Sequence, residues 1–131
     1  MKPNLDDMHN VITIAKQAGE TIMQIYQKDF SVEYKEDQSP LTAADLASHH
    51  LICAELNKLY PDIPILSEES ADTFTLKDEN ASFWCVDPLD GTKEFIKKND
   101  EFTVNIALIQ NQQPILGVIG VPAKNLMYAA V

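Results

Sequence analysis

Basic side chains are scarce in this chain of 131 residues: 10 lysines and arginines stand against 20 aspartates and glutamates, which gives a formal net charge of −10. This balance argues against a nucleic-acid-binding surface and against a polybasic membrane anchor, since both need clustered positive charge. Long apolar runs are also lacking. No segment approaches the roughly 18 uninterrupted apolar residues of a membrane helix, and residues 1–7 have no apolar signal core. We therefore expect a cytoplasmic protein with no integral membrane segment.

Cysteine is nearly absent as well. Cys53 and Cys85 have no paired spacing, so both are expected to be reduced core residues rather than a disulfide or a metal pair. His49 and His50 are adjacent on a predicted helix, where they face different directions and form no metal motif. Together with His9 they are assigned to packing or solvent. The chain also lacks a G-x-S-x-G nucleophile elbow and a P-loop, so no protein nucleophile stands out.

What the chain does have is two acidic clusters, each placed where a short apolar run ends. Asp87–Thr92 (DPLDGT) follows the β-prone residues 83–86, and Ser67–Ser70 (SEES) follows residues 63–66. A single acidic turn of this kind is a common surface β-turn. Two such clusters at strand ends favour a metal site instead.

The DPLDGT run has the composition of a magnesium-binding turn. Asp87 stands at the predicted strand end, Pro88 fixes its own backbone angle, and Gly91 permits a tight turn. The carboxylates of Asp87 and Asp90 and the carbonyl of Leu89 can then converge on one point. Hard divalent cations prefer such oxygen ligands, and magnesium keeps open positions for a substrate phosphate. These residues therefore predict a magnesium-dependent phosphatase site.

The periodicity of apolar residues predicts helices followed by a sheet. Apolar side chains recur at helical spacing over residues 4–27, and Thr42 is a suitable N-cap for a second helix over residues 43–60. Three later segments predict an antiparallel β-meander: residues 102–110, 115–121 and 126–131. The predicted fold class is α+β, with two long helices packed on this sheet. Asp45 falls in the first turn of the second helix, where an acid also favours the helix dipole in any protein.

Three segments, in the expected order, resemble the inositol monophosphatase superfamily of lithium-sensitive, magnesium-dependent phosphatases. They are Ser39–Asp45 (SPLTAAD), Leu66–Ser70 (LSEES) and Trp84–Thr92 (WCVDPLDGT). The continuation Lys93–Val104 (KEFIKKNDEFTV) is similar to the bacterial 3'(2'),5'-bisphosphate nucleotidases of that superfamily. This resemblance implies an enzyme that removes the 3'-phosphate of 3'-phosphoadenosine 5'-phosphate, giving AMP and phosphate in sulfur metabolism. An inositol or fructose phosphatase specificity remains an alternative.

The resemblance also implies a set of metal ligands. Glu68, Asp87 and the Leu89 carbonyl would hold one Mg²⁺ ion. Asp87 and Asp90 would share a second, so that Asp87 bridges the two ions. Glu69 would support the cluster from outside the ligand set or bind a third ion. The implied cofactor is therefore two or three Mg²⁺ ions.

Catalytic and substrate-binding roles follow from the same resemblance. Asp45 and Thr92 would orient and deprotonate the attacking water. The backbone amides of Gly91 and Thr92 would bind the phosphate that is cleaved. The small-molecule phosphate substrate is expected to contact Glu68, Leu89, Asp90, Gly91 and Thr92.

Members of this superfamily carry a second lobe, whose Trp-Asp-x-x-Ala-Gly type motif supplies one more aspartate to the second metal. After Asp100 this chain has no aspartate and no tryptophan. The resemblance therefore implies that residues 1–131 are the N-terminal metal-binding lobe of a layered αβαβα sandwich, with the C-terminal lobe absent from the chain. A fragment that binds metal without catalysis is the alternative from a different class. For the full enzyme, the family also implies a peripheral location at the inner face of the cell membrane.

Overall fold

The computed structural model describes residues 1–28, 32–34, 40–71, 74–76 and 78–131. Its helices are α1 (Leu5–Tyr26), α2 (Ala43–Leu59) and α3 (Thr92–Lys97), with a 3₁₀ turn at Pro122–Lys124. Its strands are β1 (Val32–Tyr34), β2 (Pro40–Thr42), β3 (Ile65–Ser67), β4 (Phe83–Asp90), β5 (Thr103–Gln110), β6 (Gln113–Val121) and β7 (Leu126–Ala130). The α+β class and the two long helices are confirmed. Within these described segments, no helix has the length and apolar character needed to cross a bilayer.

Both long helices begin at capping boxes, formed by Asn4 with Asp7 and by Thr42 with Asp45. Asn4 Oδ1 accepts a hydrogen bond from the Asp7 N–H at 3.0 Å, and Asp7 Oδ2 accepts one from the Asn4 N–H at 2.9 Å. Thr42 and Asp45 repeat this reciprocal arrangement at the start of α2. Such caps satisfy N–H groups that the first turn of a helix leaves unpaired. The predicted N-cap at Thr42 is confirmed, and it fixes Asp45 in the first turn.

The main sheet has five strands in the order β3-β4-β5-β6-β7. Strands β4 to β7 pair antiparallel with their neighbours, which confirms the predicted meander. Strand β3 instead pairs parallel with β4, with Ser67 opposite Val86, so the sheet is mixed. A parallel pair needs a connection longer than a hairpin turn, and residues 68–82 provide it. The carboxyl ends of β3 and β4 consequently meet at the same edge of the sheet.

Helices α1 and α2 pack against this sheet, and alternate residues of β4, β5 and β6 point into the resulting core. Its largest fully buried side chains are Trp84, Phe95, Phe102, Ile14, Ile22, Ile52, Leu56, Ile106, Leu108, Leu116, Val11 and Val104. Strand alternation sends Cys85 to the opposite face of β4 from Trp84. There Cys85 is exposed, so its assignment to the core is wrong, while Cys53 on α2 is half-buried.

The short helix α3 was not among the predicted elements, since six residues are too few to show a helical repeat. Phe95 anchors it, with its ring centroid 5.2 Å from those of both Tyr26 and Phe102. Gly91 immediately precedes it with a left-handed φ of 93°. A Cβ at that position would lie 3.0 Å from the Glu101 carbonyl oxygen. Glycine is therefore required where the chain turns from β4 into α3.

Candidate active site

A buried carboxylate joins the first turn of α2 to the start of α3. Asp45 is 2% exposed, and its Oδ1 accepts a hydrogen bond from the Thr92 hydroxyl at 2.8 Å. Its Oδ2 accepts from the Thr42 hydroxyl at 2.6 Å and from the Thr42 N–H at 2.9 Å. The carboxylate is thus held at both oxygens. Asp45 and Thr92, which the family resemblance pairs at the attacking water, are in direct contact, whereas Ser39 of the same motif lies outside the described residues.

The Thr92 hydroxyl also lies over the turn that carries the second acidic cluster. Its oxygen is 3.4 Å from the Leu89 carbonyl oxygen. The Leu89 side chain is buried in the core, so only the backbone of Leu89 is available to the site. A hydroxyl that donates to Asp45 keeps lone pairs that can accept a hydrogen bond from a water molecule. Thr92 can therefore link such a water to the buried carboxylate.

The parallel pairing of β3 with β4 brings the two acidic clusters side by side. The Glu68 N–H donates to the Val86 carbonyl at 3.0 Å, which places Glu68 beside the point where Asp87 follows along β4. The charges of Asp90 and Glu68 both act on Asp87, and so does the charge of Glu69. Residues 19 positions apart along the chain are neighbours because the carboxyl ends of parallel strands lie at one edge.

These neighbours change the acidity of Asp87. Desolvation by burial, followed by the negative charges of Asp90 and Glu68, raises the pKa of the Asp87 carboxyl to about 6, and a backbone hydrogen bond at Leu89 partly opposes them. Carboxylates that raise one another's pKa in this way repel each other until a cation compensates their charge. The turn around Asp87 is therefore electrostatically suited to a bound cation.

The donor set also fits a magnesium ion. Carboxylate oxygens of Glu68, Asp87 and Asp90 and the Leu89 carbonyl are hard ligands of the kind that magnesium prefers. In the described parts of the chain, no group of three or more acidic, histidine or cysteine side chains is close enough together to hold a metal ion by itself, so the Leu89 carbonyl, water and phosphate oxygens would have to complete the ligand set. An ion held here would keep coordination positions for water and phosphate oxygens, which is usual for magnesium. The residues present therefore fit an open magnesium site.

Asn105 is a polar residue of this site that sequence reasoning missed. It lies on β5 directly opposite Asp87, and its Nδ2 donates to Asp90 Oδ2 at 3.2 Å. Its buried Oδ1 has no hydrogen-bond partner within the part of the chain that the structure describes. The amide holds one oxygen of Asp90 next to Asp87. A single asparagine in a β-prone segment carries no sequence signal that could have identified it.

Two polar side chains of α2 contact the segments that carry the acidic clusters. Ser48 Oγ donates to the Pro88 carbonyl at 2.7 Å, and His49 Nδ1 lies 2.7 Å from Ser67 Oγ. Burial, and then the nearby charge of His50, lowers the pKa of His49, so its imidazole is neutral at neutral pH. His49 was assigned to packing or solvent, and the structure places it in a partly buried contact with Ser67 and with the ring of His50. The other two histidines of the chain are exposed, as expected.

We expect the contribution of Asp87 to the stability of the metal-free chain to fall as the pH rises from about 4 to about 6. Asp87 releases its proton at about pH 6 when folded and at its ordinary pKa of 3.8 when unfolded. Its raised pKa therefore favours folding at low pH, and that contribution is lost across this window and absent above it. Asp87→Asn removes the charge, so in a chelator at neutral pH it should raise the free energy of unfolding by about 1 kcal/mol, a value discounted for partial solvent exposure.

Urea unfolding of the wild type and of Asp87→Asn, measured near pH 4 and at neutral pH, gives the size of the effect. The gain from Asp87→Asn should be present at neutral pH and should vanish near pH 4. Asp62→Asn is the matched control, because Asp62 is exposed in the turn before β3. A gain of equal size at both pH values would contradict the prediction.

Proteins of one phosphatase family are similar to this chain over nearly all of its length. A sequence profile of the inositol monophosphatase family matches residues 4–131. The 3'(2'),5'-bisphosphate nucleotidase CysQ of Escherichia coli K12 is 50% identical over 125 residues, which cover 94% of this chain and 51% of that protein. CysQ of Haemophilus influenzae is 39% identical over 125 residues, covering 95% of this chain and 46% of that protein. The chain spans about half the length of the curated relatives it matches.

Solved structures show the same fold. CysQ from Bacteroides thetaiotaomicron matches with a TM-score of 0.75 and 45% identity, covering 98% of this chain and 48% of that one. An inositol monophosphatase from Thermotoga maritima matches with a TM-score of 0.84 and 28% identity, covering 95% of this chain and 48% of that one. The arrangement of helices on a five-stranded sheet is therefore shared with these proteins over about half of their length.

Proposed function

This chain belongs to the inositol monophosphatase family, and we propose that it is the N-terminal, metal-binding part of a magnesium-dependent phosphatase that converts 3'-phosphoadenosine 5'-phosphate to AMP and phosphate. The observation that carries the proposal is the contact between Asp45 and Thr92 directly above the turn of Asp87–Asp90. A proton acceptor and a hydroxyl next to a set of oxygen ligands is the arrangement that hydrolysis by an activated water needs.

The acidic residues hold the metal in this proposal. Glu68, Asp87 and the Leu89 carbonyl would hold one Mg²⁺, and Asp87 and Asp90 would hold a second. Glu69 would support these residues or hold a third ion. Bound magnesium would supply an activated water and neutralise charge on the phosphate oxygens. The pKa of Asp87 is raised by burial and then by the charges of Asp90 and Glu68, and this supports the assignment because a cation would relieve the repulsion among the three carboxylates.

Asp45 and Thr92 accept the proton that the attacking water releases. The Thr92 hydroxyl already donates to Asp45 Oδ1, so the Thr92 oxygen is free to accept a hydrogen from that water. As the water oxygen bonds to phosphorus, the bond from phosphorus to the 3'-oxygen of the nucleotide breaks, and its electron pair stays on that oxygen, which takes a proton from solvent. The hydrogen of the attacking water passes to Thr92 and the original Thr92 proton passes to Asp45. Asp45 ends the step as a neutral carboxylic acid. The backbone N–H groups of Gly91 and Thr92 bind oxygens of the phosphate that is cleaved.

The choice of substrate rests on the relatives. Proteins named CysQ nucleotidase share 39–51% identity with this chain, against 28% for the Thermotoga inositol monophosphatase. A role in sulfur metabolism, lithium sensitivity, and a cytoplasmic location with peripheral contact at the inner membrane face belong to the same proposal. Because the chain spans half of these relatives, the last ligand of the second Mg²⁺ and the contacts to adenosine are proposed to lie in the other half.

The test is magnesium-dependent phosphate release from 3'-phosphoadenosine 5'-phosphate. It is measured on the 131-residue chain and on the same chain fused to the C-terminal half of the Escherichia coli relative. We expect the fusion to need magnesium, to be inhibited by lithium, and to prefer this substrate to inositol 1-phosphate and fructose 1,6-bisphosphate. Asp90→Asn should reduce release to background, since it removes a ligand of the second metal, while Asp62→Asn should leave the rate unchanged.

Each outcome decides between the candidates. Equal release with and without Asp90→Asn would overturn the catalytic proposal, and a preference for inositol 1-phosphate would replace the substrate. A 131-residue chain that magnesium stabilises but that releases no phosphate would be a metal-binding lobe without catalysis of its own. The half-length match to the relatives is the observation that favours this second candidate.

A further inference from the structure

One face of α2 contacts three separate segments of the site. Asp45, Ser48 and His49 stand at positions i, i+3 and i+4, which lie on the same side of a helix. Asp45 bonds to Thr92 at the start of α3, as described above. Ser48 bonds to the backbone of β4, and His49 bonds to the end of β3. A single rigid helix therefore touches every segment that carries a proposed ligand.

The contact of His49 reaches the turn that bears Glu68. Ser67 is fully buried, and its hydroxyl oxygen lies 2.7 Å from His49 Nδ1 and 3.4 Å from the Glu69 N–H. A hydroxyl has one hydrogen to donate and two lone pairs. With the imidazole proton on Nε2, Ser67 donates to Nδ1 while it accepts from the Glu69 amide. The imidazole thereby orients the Ser67 hydroxyl. This hydroxyl in turn holds the backbone amide of Glu69, the residue that follows Glu68.

The contact of Ser48 reaches the turn that bears Asp87 and Asp90. The ladder between β4 and β5 is interrupted between these two residues, where the register shifts. A buried backbone carbonyl at such an irregularity needs a partner from outside the ladder. The buried Ser48 hydroxyl provides it, because it donates to the Pro88 carbonyl at 2.7 Å. Helix α2 thus binds the Pro88 carbonyl at the point where the hydrogen-bonded ladder between β4 and β5 is interrupted.

We propose that Ser48 and His49 are positioning residues, which hold the Asp87–Asp90 and Glu68–Glu69 turns at fixed distances from the Asp45–Thr92 pair. The helix does not need them for its own start, since the Thr42–Asp45 capping box already caps its N-terminus. The consequence for magnesium binding rests on the proposed function. The hydrogen bonds themselves do not, so the two can be tested apart.

The first test replaces the imidazole. His49→Phe keeps a ring and removes Nδ1, whereas His49→Asn keeps a polar atom close to the position of Nδ1. We expect His49→Phe to weaken Mg²⁺ binding to this chain about tenfold in calorimetric titration, and to speed hydrogen exchange of the Glu69 amide about fivefold. His49→Asn should restore most of both. His50→Phe is the matched control, because it makes the same change at the exposed neighbouring position.

The second test removes the other contact. Ser48→Ala should speed hydrogen exchange in residues 87–92 and weaken Mg²⁺ binding about fivefold, while the Glu69 amide keeps its wild-type exchange rate. The ¹⁵N chemical shift of His49 Nδ1 should show an accepted hydrogen bond in this variant and in the wild type. Urea unfolding of every variant separates these local effects from loss of the fold.

The outcomes keep the positioning proposal and the proposed function apart. Unchanged Mg²⁺ binding and unchanged Glu69 exchange in His49→Phe would overturn the positioning role while leaving the metal site intact. The positioning role would also be overturned if His49→Asn folded but restored neither Mg²⁺ binding nor slow exchange of the Glu69 amide. Side-chain packing rather than the hydrogen bond would then explain the effect of His49→Phe. A wild-type chain that binds no Mg²⁺ would instead overturn the metal assignment, and the exchange rates would still decide the positioning role.

Discussion

Magnesium should raise the free energy of unfolding of this chain by about 2.7 kcal/mol when its concentration is 100 times the dissociation constant, and Asp87→Asn should abolish that gain. Asp87 is the proposed ligand of both ions, and its pKa is raised first by burial and then by the negative charges of Asp90 and Glu68. A cation converts this repulsion into attraction, whereas an amide in place of Asp87 removes both the repulsion and the main ligand. Thermal or urea unfolding across a magnesium titration measures the effect.

The same variant should therefore be more stable than the wild type without metal and less stable than it with metal. This crossing distinguishes a metal ligand from a structural acid, since a structural role would lower stability under both conditions. Asp62→Asn, at an exposed turn, should follow the wild-type curve. Magnesium stabilisation of equal size in the wild type and Asp87→Asn would exclude Asp87 as a ligand.

Asp45→Asn should lower phosphate release by the fused protein about 10²–10⁴-fold, the usual contribution of a positioned general base. Asn cannot accept the Thr92 proton, although it can still accept a hydrogen bond where Asp45 now contacts Thr42. Magnesium stabilisation should remain, because Asp45 is not a proposed ligand. Initial rates at saturating substrate, measured beside the magnesium-dependent shift in melting temperature, check both halves of this prediction.

Thr92 provides the control for that result. Thr92→Val removes the hydroxyl at nearly constant volume and should slow release to a similar degree, whereas Thr92→Ser keeps the hydroxyl and should retain most of the rate. Because Asp45 and Thr92 act on one proton, the double variant should be little slower than either single variant. Losses that multiply in the double variant would mean that the two residues act independently.

The predicted fold was correct where local signals are strong. The capping box at Thr42 and the alternation of β5 and β6 are both readable over a few residues, so α2 and the meander were placed within about two residues of their bounds. The parallel pairing of β3 was not predicted, because three residues carry no information on their partner's direction. Helix α3 was too short to show a period, and its docking depends on the aromatic cluster around Phe95.

The candidate site divides in the same way. Residue types and order along the chain determined the acidic clusters, the glycine turn at Gly91 and the family, because turn chemistry and motif spacing are local properties. The family resemblance paired Asp45 with Thr92, 47 residues away, and the structure places them in contact. Only the tertiary structure decided that His49 meets Ser67 and that Ser48 meets Pro88, pairs 18 and 40 residues apart. These contacts form because one helix packs across the ends of two parallel strands, and no local pattern in the sequence specifies that packing.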